Sequence, residues 1–202
     1  MQQVVIIGGG TTFDTYEGYI SFLKTKEISL DKLRPSKEWK ASLAEELGKN
    51  FEVLVPKMPN VTNARYKEWK IWFERILPLL LNKKIILIGH SMGGIFLAKY
   101  LSQNKIPKNI IATILVAAPF EENNLGELLG SFKLPASLSK LARQGGSIFL
   151  IQSEDDPVVP VEHVKKYQQR LPNSKLMLFS DRGHFKQETF PELTTLIKTL
   201  KA

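Results

Sequence analysis

Residues 84–98, Lys84-Ile85-Ile86-Leu87-Ile88-Gly89-His90-Ser91-Met92-Gly93-Gly94-Ile95-Phe96-Leu97-Ala98, decide the fold. An apolar, β-branched run of strand length leads into G-x-S-x-G and then into a helical pattern. This is the strand, turn and helix context in which a serine stands on a sharp, strained turn. Glycine is needed two positions to either side of Ser91, where a Cβ would clash. Such a turn aims the Ser91 hydroxyl out of the sheet. The backbone N–H of Met92, at a helix N-terminus, then faces any oxyanion forming on an attacked carbonyl. If the glycines only make a turn, nothing is demanded of the rest of the chain. A nucleophile elbow demands more, an acid and a histidine at the ends of later strands.

Outward from this stretch, short β-branched runs alternate with longer helical patterns, the signature of a parallel sheet covered on both faces. The expected strands are Gln3 to Ile7, Glu52 to Val55, Lys84 to Ile88, Ile110 to Val116, Ser147 to Gln152 and Lys175 to Phe179. The expected helices are Lys37 to Lys49, Asn63 to Leu81, Met92 to Gln103, Pro160 to Leu171 and Phe190 to Lys201, with Pro78 ending or kinking the second. The expected class is α/β, one domain over 1–202 with a mostly parallel six-stranded sheet. Residues 120–143 carry Asn123, Asn124, Gly126, Gly130 and Pro135 and lose periodicity, so they read as an excursion with short helices and as the lid. Trp69 and Trp72, three apart on a helical pattern, read as packing residues.

Composition removes several chemistries. The 202 residues include no cysteine, so a disulfide framework, a thiolate metal site and a cysteine nucleophile are excluded. The three histidines, His90, His163 and His184, are not spaced as a histidine metal motif, and no metal or cofactor is expected. Gly8-Gly9-Gly10 is not a dinucleotide fingerprint, because G-x-G-x-x-G would place glycine at position 13, where Phe13 stands. No apolar run reaches the ~20 residues of a membrane span, and no leader pattern opens the chain, so a cytoplasmic protein is expected. The net charge of +8 comes from scattered lysines, with a loose cluster at Lys32, Arg34, Lys37 and Lys40. Without an aromatic-interleaved basic stripe, it reads as a solvated surface rather than a specific nucleic-acid site.

A serine hydroxyl needs a base, so one histidine must reach Ser91. His90 adjoins the serine but its side chain points elsewhere, for local packing or hydrogen bonding. His163 lies within the helical pattern Val161-Glu162-His163-Val164-Lys165 as a surface or packing residue. His184 follows the last strand in Ser180-Asp181-Arg182-Gly183-His184-Phe185, at a strand's C-terminal end, where ligands gather in parallel sheets. It is the expected base. The imidazole needs an acid, and Glu154, Asp155, Asp156 and Asp181 compete. Asp156 precedes Pro157 and has a restricted backbone, which does not by itself separate it from Asp155.

Val4-Val5-Ile6-Ile7-Gly8-Gly9-Gly10, Met58-Pro59-Asn60, Gly89-His90-Ser91-Met92-Gly93, Asp155-Asp156-Pro157-Val158-Val159-Pro160 and Gly183-His184-Phe185 occur in this order. In them the chain resembles the α/β-hydrolases, and more narrowly the small serine hydrolases of the retinoblastoma-binding-protein-nine-like type and their short bacterial relatives. The resemblance is nearly full length. It implies the chain order serine, acid, histidine and the acid directly before proline, making Ser91, Asp156 and His184 the catalytic set. It also implies an oxyanion loop after the first strand, with Gly10 or Thr11 joining Met92 as donor. Lys24 to Lys40 is longer and more charged than the family pattern, a stretch that shapes the pocket rim or a partner surface. The expected activity is cleavage of small carboxylic esters through an acyl-enzyme, with amides, thioesters and lactones open to the same machinery. The competing expectation is a non-catalytic protein-interaction module on the same scaffold.

Overall fold

A computed structural model describes residues 1–34, 37–80 and 84–200. Six strands form one sheet: β1 (Gln2–Ile7), β2 (Phe51–Leu54), β3 (Ile85–His90), β4 (Ile110–Val116), β5 (Ser147–Ser153) and β6 (Lys175–Phe179). The order is β2-β1-β3-β4-β5-β6 and every neighbouring pair is parallel. The direction of winding reverses between β1 and β3. A crevice forms outside the carboxyl ends of the strands at such a switch point, because the following connections leave on opposite sides. Gly8 to Thr11 follow β1 and Ser91 follows β3, so both expected halves of the site stand at that crevice.

The helices are α1 (Tyr16–Thr25), α2 (Leu30–Leu33), α3 (Trp39–Leu47), α4 (Tyr66–Ile76), α5 (Met92–Gln103), α6 (Ser139–Gln144), α7 (Glu162–Arg170) and α8 (Pro191–Thr199). Pro78 ends α4 as expected, in a 3-10 turn over Leu77–Leu79. The expected ends at Leu81 and Lys201 lie outside the described residues. Alternate strand residues divide the core. Val5, Ile7, Ile85 and Leu87 pack with α4, α5 and α7, whereas Val4, Ile6, Ile86 and Ile88 pack with α3 and α8. Trp69 is fully buried and donates from Nε1 to the Pro59 carbonyl at 2.8 Å, while Trp72 lies on the outer side of α4. Among the described residues no helix is long and apolar enough to cross a membrane.

Two segments depart from expectation. Helix α1 buries none of its residues, so no core-facing stripe marked it. Its start carries a local signal, because the Thr15 side chain accepts from Gly18 N–H at 3.0 Å. The 120–143 excursion, expected as a lid, is fastened to the body. Leu125, Leu129, Phe132, Leu138 and Leu141 are buried in the α4–α5 core, and the Phe132 ring meets Trp69 edge-on at 5.2 Å. Lys99 Nζ donates to the Ser131 carbonyl at 2.8 Å and Ser131 Oγ accepts from Tyr66 N–H at 3.0 Å. Its broken periodicity reflects single apolar anchors spaced along irregular backbone, which no helical or strand period reports.

Phe132→Ala should therefore cost about 3 to 5 kcal/mol in urea unfolding, as for a core aromatic. A cost below about 1 kcal/mol would mark the segment as a detachable lid.

Candidate active site

Ser91 sits at φ 56°, ψ −124°, a backbone conformation that side chains with a Cβ rarely adopt. The crowding around it explains the glycines. A Cβ on Gly93 would lie 2.1 Å from the Ile7 carbonyl oxygen, and one on Gly89 2.5 Å from the Gly93 carbonyl oxygen. The turn is tied to the sheet by Ser91 N–H, which donates to the Val116 carbonyl at 2.9 Å. The Ser91 carbonyl in turn accepts from Gly94 N–H at 2.8 Å to begin α5. Met92 is the first residue of that helix, where N–H groups have no intrahelical acceptor and carry the positive end of the helix dipole.

The Gly8–Thr11 loop faces this turn; a Cβ built on Gly9 would stand 3.3 Å from Ser91 Cβ. One expectation fails here. The Thr11 N–H donates to the Val61 carbonyl at 2.8 Å, so it is engaged inside the loop and is not a free oxyanion donor. Gly10 keeps that role as the expected residue.

His184 and Asp156 meet. With the carboxylate as acceptor, His184 Nδ1–H donates to Asp156 Oδ2 at 2.9 Å, with Oδ1 at 3.1 Å, which leaves Nε2 as the basic nitrogen. Asp156 Oδ1 also accepts from Val158 N–H at 2.8 Å and Val159 N–H at 3.0 Å, and its side chain is fully buried. Ser91, His184, His90, Gly9, Gly10 and Thr11 line one cleft of about 470 Å³. Of the 120–143 excursion, Glu127 alone appears among the described lining residues.

Asp155, the competitor for the acid, has a different task. Its Oδ1 accepts from Gly183 N–H at 2.9 Å and from Ser153 Oγ at 2.5 Å, and Ser153 Oγ accepts from Arg182 N–H at 3.0 Å. These bonds hold its carboxyl below the usual carboxylate range, the Ser153 hydroxyl first and the Gly183 amide second. Asp155 and Ser153 thereby secure one side of the histidine loop.

The other side is secured by residues that sequence reading left without such a role. His90 Nε2 bonds the His184 carbonyl at 2.9 Å, Trp39 Nε1–H donates to the Phe185 carbonyl at 3.0 Å, Trp39 N–H to the Gln187 carbonyl at 2.9 Å, and Ser42 Oγ to the Glu188 carbonyl at 2.9 Å. His90 was expected to bond locally; its partner is 94 residues away. The strand period held the clue, because His90 continues the Ile86 and Ile88 face toward α3. Its Nδ1 faces Lys40 Nζ at 3.3 Å, and an ammonium only donates, so Nε2 carries the His90 hydrogen. Lys40 also pairs with Glu38, and both line the cleft, as a pocket-rim role for the Lys24 to Lys40 stretch requires.

Burial pushes the His90 imidazole well below its usual range, with the Lys40 charge acting in the same direction. His163, buried rather than exposed, accepts from Phe120 N–H at 3.0 Å and is likewise lowered, first by burial and then by Lys166. Both are neutral in the folded protein near pH 6.5. The unfolded chain then binds more protons as pH falls, so the stability they contribute is complete above about pH 6.5 and is lost below it. The slope reaches at most about 1.4 kcal/mol per pH unit for each such histidine, where the unfolded chain holds the proton and the folded protein does not. Urea unfolding should give lower stability at pH 5.5 than at pH 7.5, with a shallower slope for His90→Gln; equal wild-type stability at both would contradict neutral burial.

The family model for serine hydrolases matches residues 32–201, beginning after the Gly8–Thr11 loop. Over 150 residues the chain is 30% identical to serine hydrolase RBBP9 of Rattus norvegicus, covering 74% of this chain and 78% of that protein. Among solved structures, the ydeN gene product of B. subtilis matches with a TM-score of 0.77 at 20% identity, over 99% of this chain and 98% of that one. A meta-cleavage product hydrolase from Pseudomonas fluorescens matches with a TM-score of 0.67 at 13% identity, over 99% and 90%. The structural likenesses bear on the fold, an α/β-hydrolase sheet. By the family match and the similarity to the rat protein, the chain belongs to the serine hydrolase family.

Proposed function

We propose that the protein hydrolyses small carboxylic esters through a covalent acyl-enzyme formed on Ser91. The observation that carries this reading is the His184 Nδ1 to Asp156 Oδ2 hydrogen bond of 2.9 Å beside the cleft that Ser91 lines from its strained turn. Ser91 Oγ attacks the ester carbonyl carbon while His184 Nε2 takes the hydroxyl proton. Asp156 holds the tautomer and stabilises the imidazolium. The carbonyl oxygen, now negative, is met by the N–H groups of Met92 and Gly10. As the intermediate collapses, the bond to the alkoxy oxygen breaks and His184 returns the proton to the departing alcohol. Water, deprotonated by His184, then attacks the acyl-Ser91 ester, and collapse of the second intermediate releases the acid and restores the serine.

The histidine loop supports this cycle physically. His184 must exchange protons without losing its place, and its backbone is held from Asp155 and Ser153 on one side and from His90, Trp39 and Ser42 on the other. Such fixed geometry lowers the reorganisation needed at each proton transfer.

Fluorophosphonate labelling followed by intact-mass analysis tests the reading. Wild type is expected to take one adduct, Ser91→Ala none, and His184→Ala to react at least about 10³-fold more slowly. Asp156→Asn should lower kcat on a small ester by about 10⁴-fold. Folded wild type that resists the probe would end the enzyme reading and turn attention to a binding role centred on Lys24 to Lys40.

A further inference from the structure

A second cleft of about 260 Å³ opens beside the first, with Thr12, Phe13, Phe22 and Leu128 in its lining. Thr11 and Glu127 line both clefts, so the two share a wall. Apart from Glu127 on the shared wall, the surface of the smaller one is apolar in effect. The Phe13 and Phe22 rings lie 4.9 Å apart, and the Thr11 and Thr12 hydroxyls already donate to the Thr62 and Ala64 carbonyls at 3.1 and 2.8 Å. Neither hydroxyl needs a ligand partner. Phe13, Phe22 and Leu128 belong to neither buried core cluster. Apolar side chains gathered at the surface next to a reactive serine call for a ligand that covers them.

The chemistry selects which part of an ester goes there. His184 must hand a proton to the departing alcohol, so the alcohol lies on the His184 side of the carbonyl carbon. Neither His184 nor Lys186 lines the smaller cleft; both line the larger one. The group that remains on the carbonyl is the acyl chain, and next to the Gly10 oxyanion donor the larger cleft borders the smaller one at Thr11. Resting on the ester-hydrolase reading above, we infer that this second cleft is the acyl-chain subsite and that α1, through Phe22, forms its outer wall. The cleft's volume of about 260 Å³ suits a straight chain of modest length better than a long one.

Each methylene moved from water into such a surface is worth about fourfold in kcat/KM when fully covered. Turnover of p-nitrophenyl acetate, hexanoate and dodecanoate reads the subsite. Hexanoate should exceed acetate by at least about tenfold, dodecanoate should fall below hexanoate, and Leu128→Asp and Phe22→Ser should each cut the hexanoate-to-acetate ratio at least about fivefold. Circular dichroism and the rate of fluorophosphonate labelling check that each variant is folded. Leu128 is 42% exposed, so Leu128→Asp still reports if Phe22→Ser does not fold. A Ser91 adduct with acetate turnover but no chain-length gradient would overturn the subsite alone, as would a gradient that neither variant changes. No adduct and no turnover of any ester would overturn the hydrolase reading and the subsite together.

Discussion

Helix α5 begins hard against the end of β1, so close that Gly93 could not carry a Cβ without meeting the Ile7 carbonyl oxygen at 2.1 Å. That contact brings the start of the β1–β2 connection and the start of the β3–β4 connection together at one point. The chain leaves β3 at His90, turns at Ser91 with positive φ, and enters α5 at Met92. Strain at Ser91 is tolerated because sheet and helix fix it from either side: Ser91 N–H donates to the Val116 carbonyl of β4 and the Ser91 carbonyl accepts from Gly94 N–H in the first turn of α5.

The histidine is placed by a different means. His184 stands on a loop, which would wander unless its backbone groups found partners. Six hydrogen bonds to residues from β3, α3 and the end of β5 supply them. Buried polar side chains that look unexplained in isolation, Ser153 and His90 in particular, have their partners in this loop. The neutral state of His90 follows from the same arrangement, since a second positive charge beside Lys40 in a buried position would be costly.

Local chemistry made the strands legible. Runs such as Val4 to Ile7 and Ile85 to Ile88 are buried on both faces, and β-branched continuity reports that directly. Observed strand ends differ from the expected ones by no more than two residues, the largest being β3, which runs on to His90. Helix α1 was not legible because it has no buried face; the 120–143 excursion carries short helices as expected, but its core anchors were not legible because they are not periodic. For the site, G-x-S-x-G and the strand-end position of His184 pointed to two residues from spacing alone. The adjacent acids could not be separated that way, since Asp155 and Asp156 differ only in which backbone and side-chain groups the fold brings to them.

The chain by itself determined the parallel sheet, the elbow at Ser91 and the candidates for base and acid, because these rest on short-range sterics and on the burial period of neighbouring residues. Tertiary structure decided the contacts themselves: Asp156, to which the resemblance already pointed, faces His184 while Asp155 holds the loop, Thr11 is bonded to Val61, and Phe13, Phe22 and Leu128 line a second cleft that shares Thr11 and Glu127 with the first. Each of those outcomes joins groups from segments that only folding brings together, and hydrogen-bond partners across such separations leave no period or motif in the sequence.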